Sequence, residues 1–318
     1  MNRIPFYQER TFSEKFNVTF EFLKENWKVV LRYITYVCLP MSLVGGWVFN
    51  SFISLVENLE ATQTDDSAAW LQFALTYGGI LLLMSLASWW IATVMFSLMQ
   101  AYNERQEGLE GITFDELKPK MKRNAWRLFK LGLACFLVFV VWMGLLIGVG
   151  FIQPILSVIL VLASIVWVVP LMYVSPVYMY EDVSVWRALS HGIWLGWKTW
   201  GGTFALGFVL FLIVSVVQGV VGMPWQICYF VKLIFASETQ NAPAFISSVG
   251  FMLISYVASI VMLYAQFLCS SIFFVGISYL YSHAAETFDD MSVETGIDHF
   301  EDMADPQEDA ELSNFEKL

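Results

Sequence analysis

LGLACFLVFVVWMGLLIGVGFIQPILSVILVLASIVWVVPLMYVSPVYMY, residues 131–180, contains no Asp, Glu, Lys or Arg. One membrane crossing needs about 20 apolar residues, so a run more than twice that long has to turn back on itself. Gly150-Phe151-Ile152-Gln153-Pro154 supplies the turn near its middle, and Pro154 suits the first position of a new helix, where its missing N–H would have no partner anyway. The stretch therefore reads as two antiparallel crossings.

Four further uncharged runs flank it: Tyr33 to Val56, Ala68 to Asn103, Thr199 to Val231 and Thr239 to Ala285. Together they give six crossings, at about 29–56, 69–103, 126–150, 154–180, 199–231 and 243–282. Composition agrees, because 58% apolar and 14% charged residues leave too little polar surface for a soluble chain of 318 residues. The expected fold class is all-α integral membrane, with one polytopic domain over 1–285.

Orientation follows from the connections. Arg3, Arg10, Lys15, Lys24, Lys28 and Arg32 precede the first crossing, and seven basic residues between Arg105 and Lys130 separate the second from the third. Arg187, Lys198 and Lys317 fall on the same side, leaving Lys232 alone on the other. The rule that Lys and Arg stay inside then puts both termini in the cytoplasm. The first 28 residues show no cleavable leader, so the first crossing is expected to act as the targeting signal. Cys38, Cys135, Cys228 and Cys269 all lie in apolar runs without metal or redox spacing and are expected to be reduced, buried packing residues.

The net charge of −11 has one location. Residues 286–318 carry twelve acidic residues and one lysine, and the rest of the chain is neutral. Such a segment is expected to be a disordered cytoplasmic tail. It is either simply solvated or docks on the basic segment around Lys118, Lys120, Lys122 and Arg123 or on a protein partner, using Phe300, Leu312 and Phe315 as apolar contacts.

Internal repetition is the second informative feature. Thr11-Phe12-Ser13-Glu14 and Thr113-Phe114-Asp115-Glu116 share capping-box spacing, and each leads through Asn26-Trp27 or Asn124-Ala125-Trp126 into a crossing. A third copy aligns Val185, Leu189, Ile193 and Trp200 with Phe12, Phe16, Phe20 and Trp27. The unit reads as an interfacial amphipathic helix (11–28, 113–125, 183–198) plus a helix pair, used three times. Phe12, Phe16, Phe20, Trp27, Trp126, Trp197 and Trp200 are the expected interfacial anchors, either embedded in lipid or packed as a collar under the bundle. Tyr102, Tyr180 and Tyr281, each followed by acid, read as headgroup-level anchors where the even-numbered crossings end.

The pattern Glu181, Ala188, Leu189, Trp194 and Trp200 to Gly202, with the opening helix Phe12 to Trp27, resembles the six-helix membrane domain associated with bacterial glycerophosphodiester phosphodiesterases and related stand-alone inner-membrane proteins. The likeness covers roughly residues 10 to 285. It implies a polytopic protein of the bacterial cytoplasmic membrane and carries over no catalytic residue, because the phosphodiesterase barrel is absent.

The charges within the stated crossings, Arg32, Arg127 and Lys130, lie in their opening turns and none is a carboxylate, which disfavours proton or sodium coupling and intramembrane acid–base catalysis. His191, His283 and His299 are scattered outside the apolar runs, and no phosphate loop or basic face suited to nucleic acid is present. No cofactor or metal is therefore expected, and no enzyme. Gly144-x-x-x-Gly148 allows close helix approach, within the chain or in a dimer. Pro40, Gly45-Gly46, Gly78-Gly79, Pro170, Pro176 and Pro224 are expected to interrupt or bend helices, and Gln218, Gln226 and Gln266 are the uncharged polar groups a mid-membrane site could use. Two functions follow: a non-enzymatic membrane scaffold or interaction protein, and a carrier of a lipid-like or neutral amphipathic substrate. A polar cavity would favour the carrier, and a filled interior the scaffold.

Overall fold

A computed structural model describes residues 4–62, 67–105, 107–236, 245–246 and 248–291, which contain helix and no strand. The helices are α1 (Phe12–Thr62), α2 (Ser67–Glu104), α3 (Phe114–Ile152), α4 (Pro154–Leu171), α5 (Val174–Tyr180), α6 (Val185–Lys198), α7 (Trp200–Ala236) and α8 (Val249–Asp289). Among the described residues, six segments are long and apolar enough to cross a membrane: Phe12–Phe52, Trp70–Glu104, Phe114–Ile152, Pro154–Tyr180, Trp200–Phe235 and Val249–Asp289. This is the architecture of a multi-pass membrane protein. The turn between the third and fourth falls where the sequence places it: α3 ends at Ile152, Gln153 leaves the helix with φ −143°, and α4 opens on Pro154.

Two of the three expected interfacial helices are not separate elements. At about 1.5 Å per residue, the 51 residues of α1 form a rod of about 76 Å, more than twice the hydrocarbon thickness of about 30 Å. The amphipathic segment 11–28 is the first part of this rod, and 113–125 is likewise continuous with α3, because neither junction carries a Gly or Pro that would end the helix. Only the third copy breaks, at Thr199, between α6 and α7. Pro40, Gly45-Gly46, Gly78-Gly79 and Pro224 also lie inside unbroken helices. The real interruption is at Met172 and Tyr173, flanked by Pro170 and Pro176, where the fourth crossing divides into α4 and α5.

Burial is uneven along the bundle. α2 is central, touching α1, α3, α5 and α8, and half of its most apolar stretch is buried. None of the corresponding stretch of α3 is buried, and Phe136, Phe139, Val141 and Ile147 all stand exposed. In water such a face would aggregate; in a bilayer the acyl chains cover it, and the burial pattern marks the lipid-facing side. The core gathers at the other end of the bundle, around Phe22, Phe96, Met95, Leu98, Met99, Tyr279 and Tyr281, all under 2% exposed.

Glycine marks where helices meet most closely. A Cβ on Gly196 would lie 2.5 Å from Pro170 Cα, and one on Gly192 would lie 2.8 Å from Val174 Cα. Two glycines one turn apart on α6 thus receive the α4–α5 break backbone to backbone, the contact that small residues permit. Gly144 and Gly148, expected to pack closely, have nothing within 4 Å of an added Cβ, so within the chain they make no close approach. Among the cysteines, Cys38, Cys228 and Cys269 are buried and free as expected, whereas Cys135 is exposed on the lipid-facing part of α3.

Candidate functional site

The polar side chains of this protein converge at the densely packed end of the bundle. Thr11 N donates to Glu14 Oε2 at 2.7 Å and Glu14 N to Thr11 Oγ1 at 3.4 Å, so the first capping box forms and fixes the start of α1. The second does not: Thr113 makes no side-chain cap, and Glu116 is taken by Arg105 Nη1 at 3.0 Å.

Ahead of α1 the chain tucks back into the bundle. Ile4 and Phe6 are buried, and Ile4 N donates to Tyr102 Oη at 3.2 Å. Arg10, 7% exposed, donates to Phe6 O at 3.0 Å, to Pro5 O and to Ser282 Oγ at 3.4 Å, with its guanidinium 5.3 Å above the Tyr279 ring. Burial pulls the Arg10 guanidinium below its ordinary value, opposed by Tyr279 and Glu14. Burial also pushes the Tyr7 phenol up to about 12, against a hydrogen bond with Tyr281, which keeps Tyr7 neutral. Sequence reading counted Arg10 only as an orientation charge; its burial is not legible from a segment with no periodic pattern.

A second cluster ties α6 to the ends of α5 and α8. Glu181 accepts from Tyr281 Oη at 2.9 Å and lies 3.2 Å from His191 Nδ1, while His191 Nε2 is 3.3 Å from Asp289 Oδ2. Arg127 spans from α3, meeting Asp182 at 2.6 Å and Glu181 O at 2.7 Å. It thereby satisfies carbonyls that the end of α5 leaves free. Among the described residues no hydroxyl or thiol hydrogen-bonds His191, and no group of three or more His, Cys, Asp or Glu could hold a metal ion. The arrangement is suited to clamping four helices, α3, α5, α6 and α8, together.

The three tyrosines read as headgroup anchors are inside. Tyr281 is fully buried, Tyr102 is 2% exposed, and Tyr180 stacks on Tyr281 at 5.4 Å while donating to Ser278 Oγ at 3.0 Å. The polar stripe of α2 and α3 is inside as well: Asn124 Nδ2 donates to Ser97 Oγ at 2.9 Å and Gln100 Oε1 at 2.8 Å, and Gln100 Nε2 donates to Met179 O at 2.8 Å. Asn124 Oδ1 is left without a partner, the other tips find one in protein, and the aromatic bodies fill the core.

Beside this network lies a cavity of about 290 Å³ between α1, the α6–α7 junction and the end of α8. Its lining includes Lys15, Lys198, Tyr173, Thr199, Thr203 and His283, and it includes no carboxylate. Tyr173 Oη lies 2.6 Å from Thr203 Oγ1 and 2.8 Å from Thr199 Oγ1. Lys15, counted in the sequence among the charges that precede the first crossing, is 8% exposed, because the buried face of α1 runs through Lys15, Val18, Thr19, Phe22 and Asn26.

The expected interfacial anchors divide accordingly. Phe12, Trp27, Trp126 and Trp197 are exposed; Phe16 and Phe20 are half-buried and packed against the core. Trp200 is half-buried, with its indole N–H donating to Val166 O at 3.2 Å. The first segment of α1 therefore lies against the bundle, with Phe12 and Trp27 at its outer edge. Lys118, Lys122 and Arg123 are exposed, and Lys120 pairs with Glu104. Phe300, Leu312, Phe315 and the rest of the tail beyond Met291 lie outside the described residues, although its first residues, 286–289, continue α8.

Gln218, Gln226 and Gln266 do not meet around a cavity. Gln226 and Gln266 are exposed and Gln218 is half-buried with its Nε2 unpartnered. Two further hollows are apolar: one between α7 and α8 lined by Val221, Pro224, Leu253 and Val257, and one between α1 and α2 lined by Tyr36, Pro40, Trp89 and Trp90. No family model, curated protein or solved structure matches this chain.

Proposed function

We propose that this chain is a non-enzymatic scaffold or interaction protein of a bacterial cytoplasmic membrane, with its polar end and both termini in the cytoplasm. The observation that carries the reading is where the hollows lie: the polar cavity sits at the densely packed end of the bundle, and the two others are lined by apolar side chains. A carrier needs a polar passage near mid-depth, and Gln218, Gln226 and Gln266 line none of these three hollows. The basic connection between α2 and α3 suits contact with anionic lipid, and the acidic tail suits a basic protein partner.

Reconstitution tests this directly. Purified protein in vesicles containing fluorescent phospholipid should leave the rate of transbilayer movement at that of protein-free vesicles. Accelerated movement, lost on substitution of Gln218, Gln226 or Gln266, would replace the scaffold with the carrier.

A further inference from the structure

We propose that the cavity at the α6–α7 junction is a binding site for a phosphate-bearing anion. Lys15 is the first reason. Taking an ammonium out of water costs several kcal/mol unless an anion or a set of acceptors compensates it, and buried lysines are accordingly paired. Lys15 is more than nine-tenths buried as a residue, with its Nζ still open to the cavity, and among the described residues that Nζ makes neither an ion pair nor a hydrogen bond. It is aimed into the cavity, 3.9 Å from where a Cβ on Gly202 would stand.

The walls are the second reason. α7 begins at Trp200, so the N–H groups of its first turn have no acceptor within their own helix, and two residues of that turn, Gly201 and Gly202, line the same space. A helix N-terminus favours negative charge, and glycine lets an anion approach the backbone. Lys198 adds a second ammonium at the mouth, 5.7 Å from the Trp194 ring, and Thr199 and Thr203 add hydroxyls. His283 Nδ1 accepts from Arg10 N at 3.0 Å, so a neutral imidazole carries its proton on Nε2 and presents a donor. Every element of the lining either donates or is neutral.

A phosphomonoester or phosphodiester matches this set: compact, anionic, and able to accept from several donors at once. The ligand is either the headgroup of an anionic phospholipid or a soluble phosphate compound. A lipid held here would be a fixed part of the bundle's end and not translocated cargo, so the site is independent of the scaffold reading, and the vesicle assay tests the two separately.

The test uses the full chain in zwitterionic detergent, comparing wild type with Lys15→Gln, which keeps most of the stem and removes the charge. Thermal stability is measured alone, with phosphatidylglycerol, with phosphatidylcholine and with inorganic phosphate. Wild type should be stabilised by phosphatidylglycerol, by phosphate or by both, and phosphatidylcholine should do less. Response to phosphatidylglycerol alone assigns a headgroup, and response to phosphate assigns a soluble compound.

Lys15→Gln should be at least as stable as wild type without ligand, having lost an unpaired buried charge. It should require about tenfold more ligand for the same response, the effect of losing a charge-assisted hydrogen bond. Should Lys15→Gln fail to fold, Lys198→Gln, at the exposed mouth, should show the same weakened response. No response of wild type to either anion overturns the proposal, as does an unchanged response in the variants. A response confined to a chain ending at Met291 also overturns it and gives the cavity to the acidic tail.

Discussion

Replacing Gly196 by alanine should destabilise the protein, although alanine is the better helix former. In a helix interior Gly→Ala gains about 1 kcal/mol from propensity alone. At Gly196 the new methyl would stand 2.5, 2.8 and 3.0 Å from Pro170 Cα, O and C. Ordinary contact begins near 3.4 Å, so the α4–α5 break would have to withdraw by about 0.9 Å. The obstacle is backbone, which no rotamer change can clear. Overpacking of this kind costs about 1–3 kcal/mol, enough to cancel the propensity gain and reverse its sign. Gly144→Ala is the internal control: nothing lies within 4 Å of its added Cβ, so only the propensity term acts. The assay is thermal inactivation in detergent, followed as the fraction remaining monodisperse on size exclusion. Gly196→Ala should lose stability and Gly144→Ala should hold or gain. Equal stability of Gly196→Ala and wild type would refute the close approach of α6 to the break.

Three other experiments separate features that look alike in sequence. Thr11→Ala should cost about 1 kcal/mol by removing a formed cap, while Thr113→Ala should cost little; equal losses in thermal stability would contradict the capping geometry. Arg10→Ala should free the tucked segment Ile4–Arg10, seen as protease cleavage near the N-terminus, and Arg10→Lys should restore it only in part, because one ammonium cannot reproduce the guanidinium fork that meets Pro5 O, Phe6 O and Ser282 Oγ. Cys135, facing acyl chains, should resist maleimide in native vesicles, where no water reaches its thiol, and react on transfer to mildly alkaline detergent, whereas Cys38, Cys228 and Cys269 should react only on unfolding.

The number of crossings and the turn at Pro154 were legible because they depend on length, charge exclusion and one proline, all local quantities. The packing was not. Apolar residues facing lipid and apolar residues facing the core have the same composition, so periodicity cannot tell Phe139, exposed on α3, from Phe96, buried in α2. The same ambiguity made Tyr102, Tyr180 and Tyr281 look like headgroup anchors when they are core residues with satisfied hydroxyls. It also made one Gly-x-x-x-Gly pair look like a contact while the working pair, Gly192 and Gly196, sat in a segment read for its tryptophans. The amphipathic pattern of α1 was read from its largest side chains, Phe12, Phe16 and Phe20. The face that packs is set by Val18, Thr19 and Phe22, and it carries Lys15 inward with them. A one-position shift in helical phase separates a lysine facing water from a lysine lining the cavity.

The central claim is a six-crossing bundle whose densely packed polar end is cytoplasmic, and site-directed labelling measures it most directly. In a background with the four cysteines replaced, single cysteines are placed at Thr62, at the end of α1, and at Ser190, on α6. In intact spheroplasts a membrane-impermeant maleimide should label the first and reach the second only after permeabilisation. Labelling of Ser190→Cys from outside, or of both positions from the same side, would contradict the account.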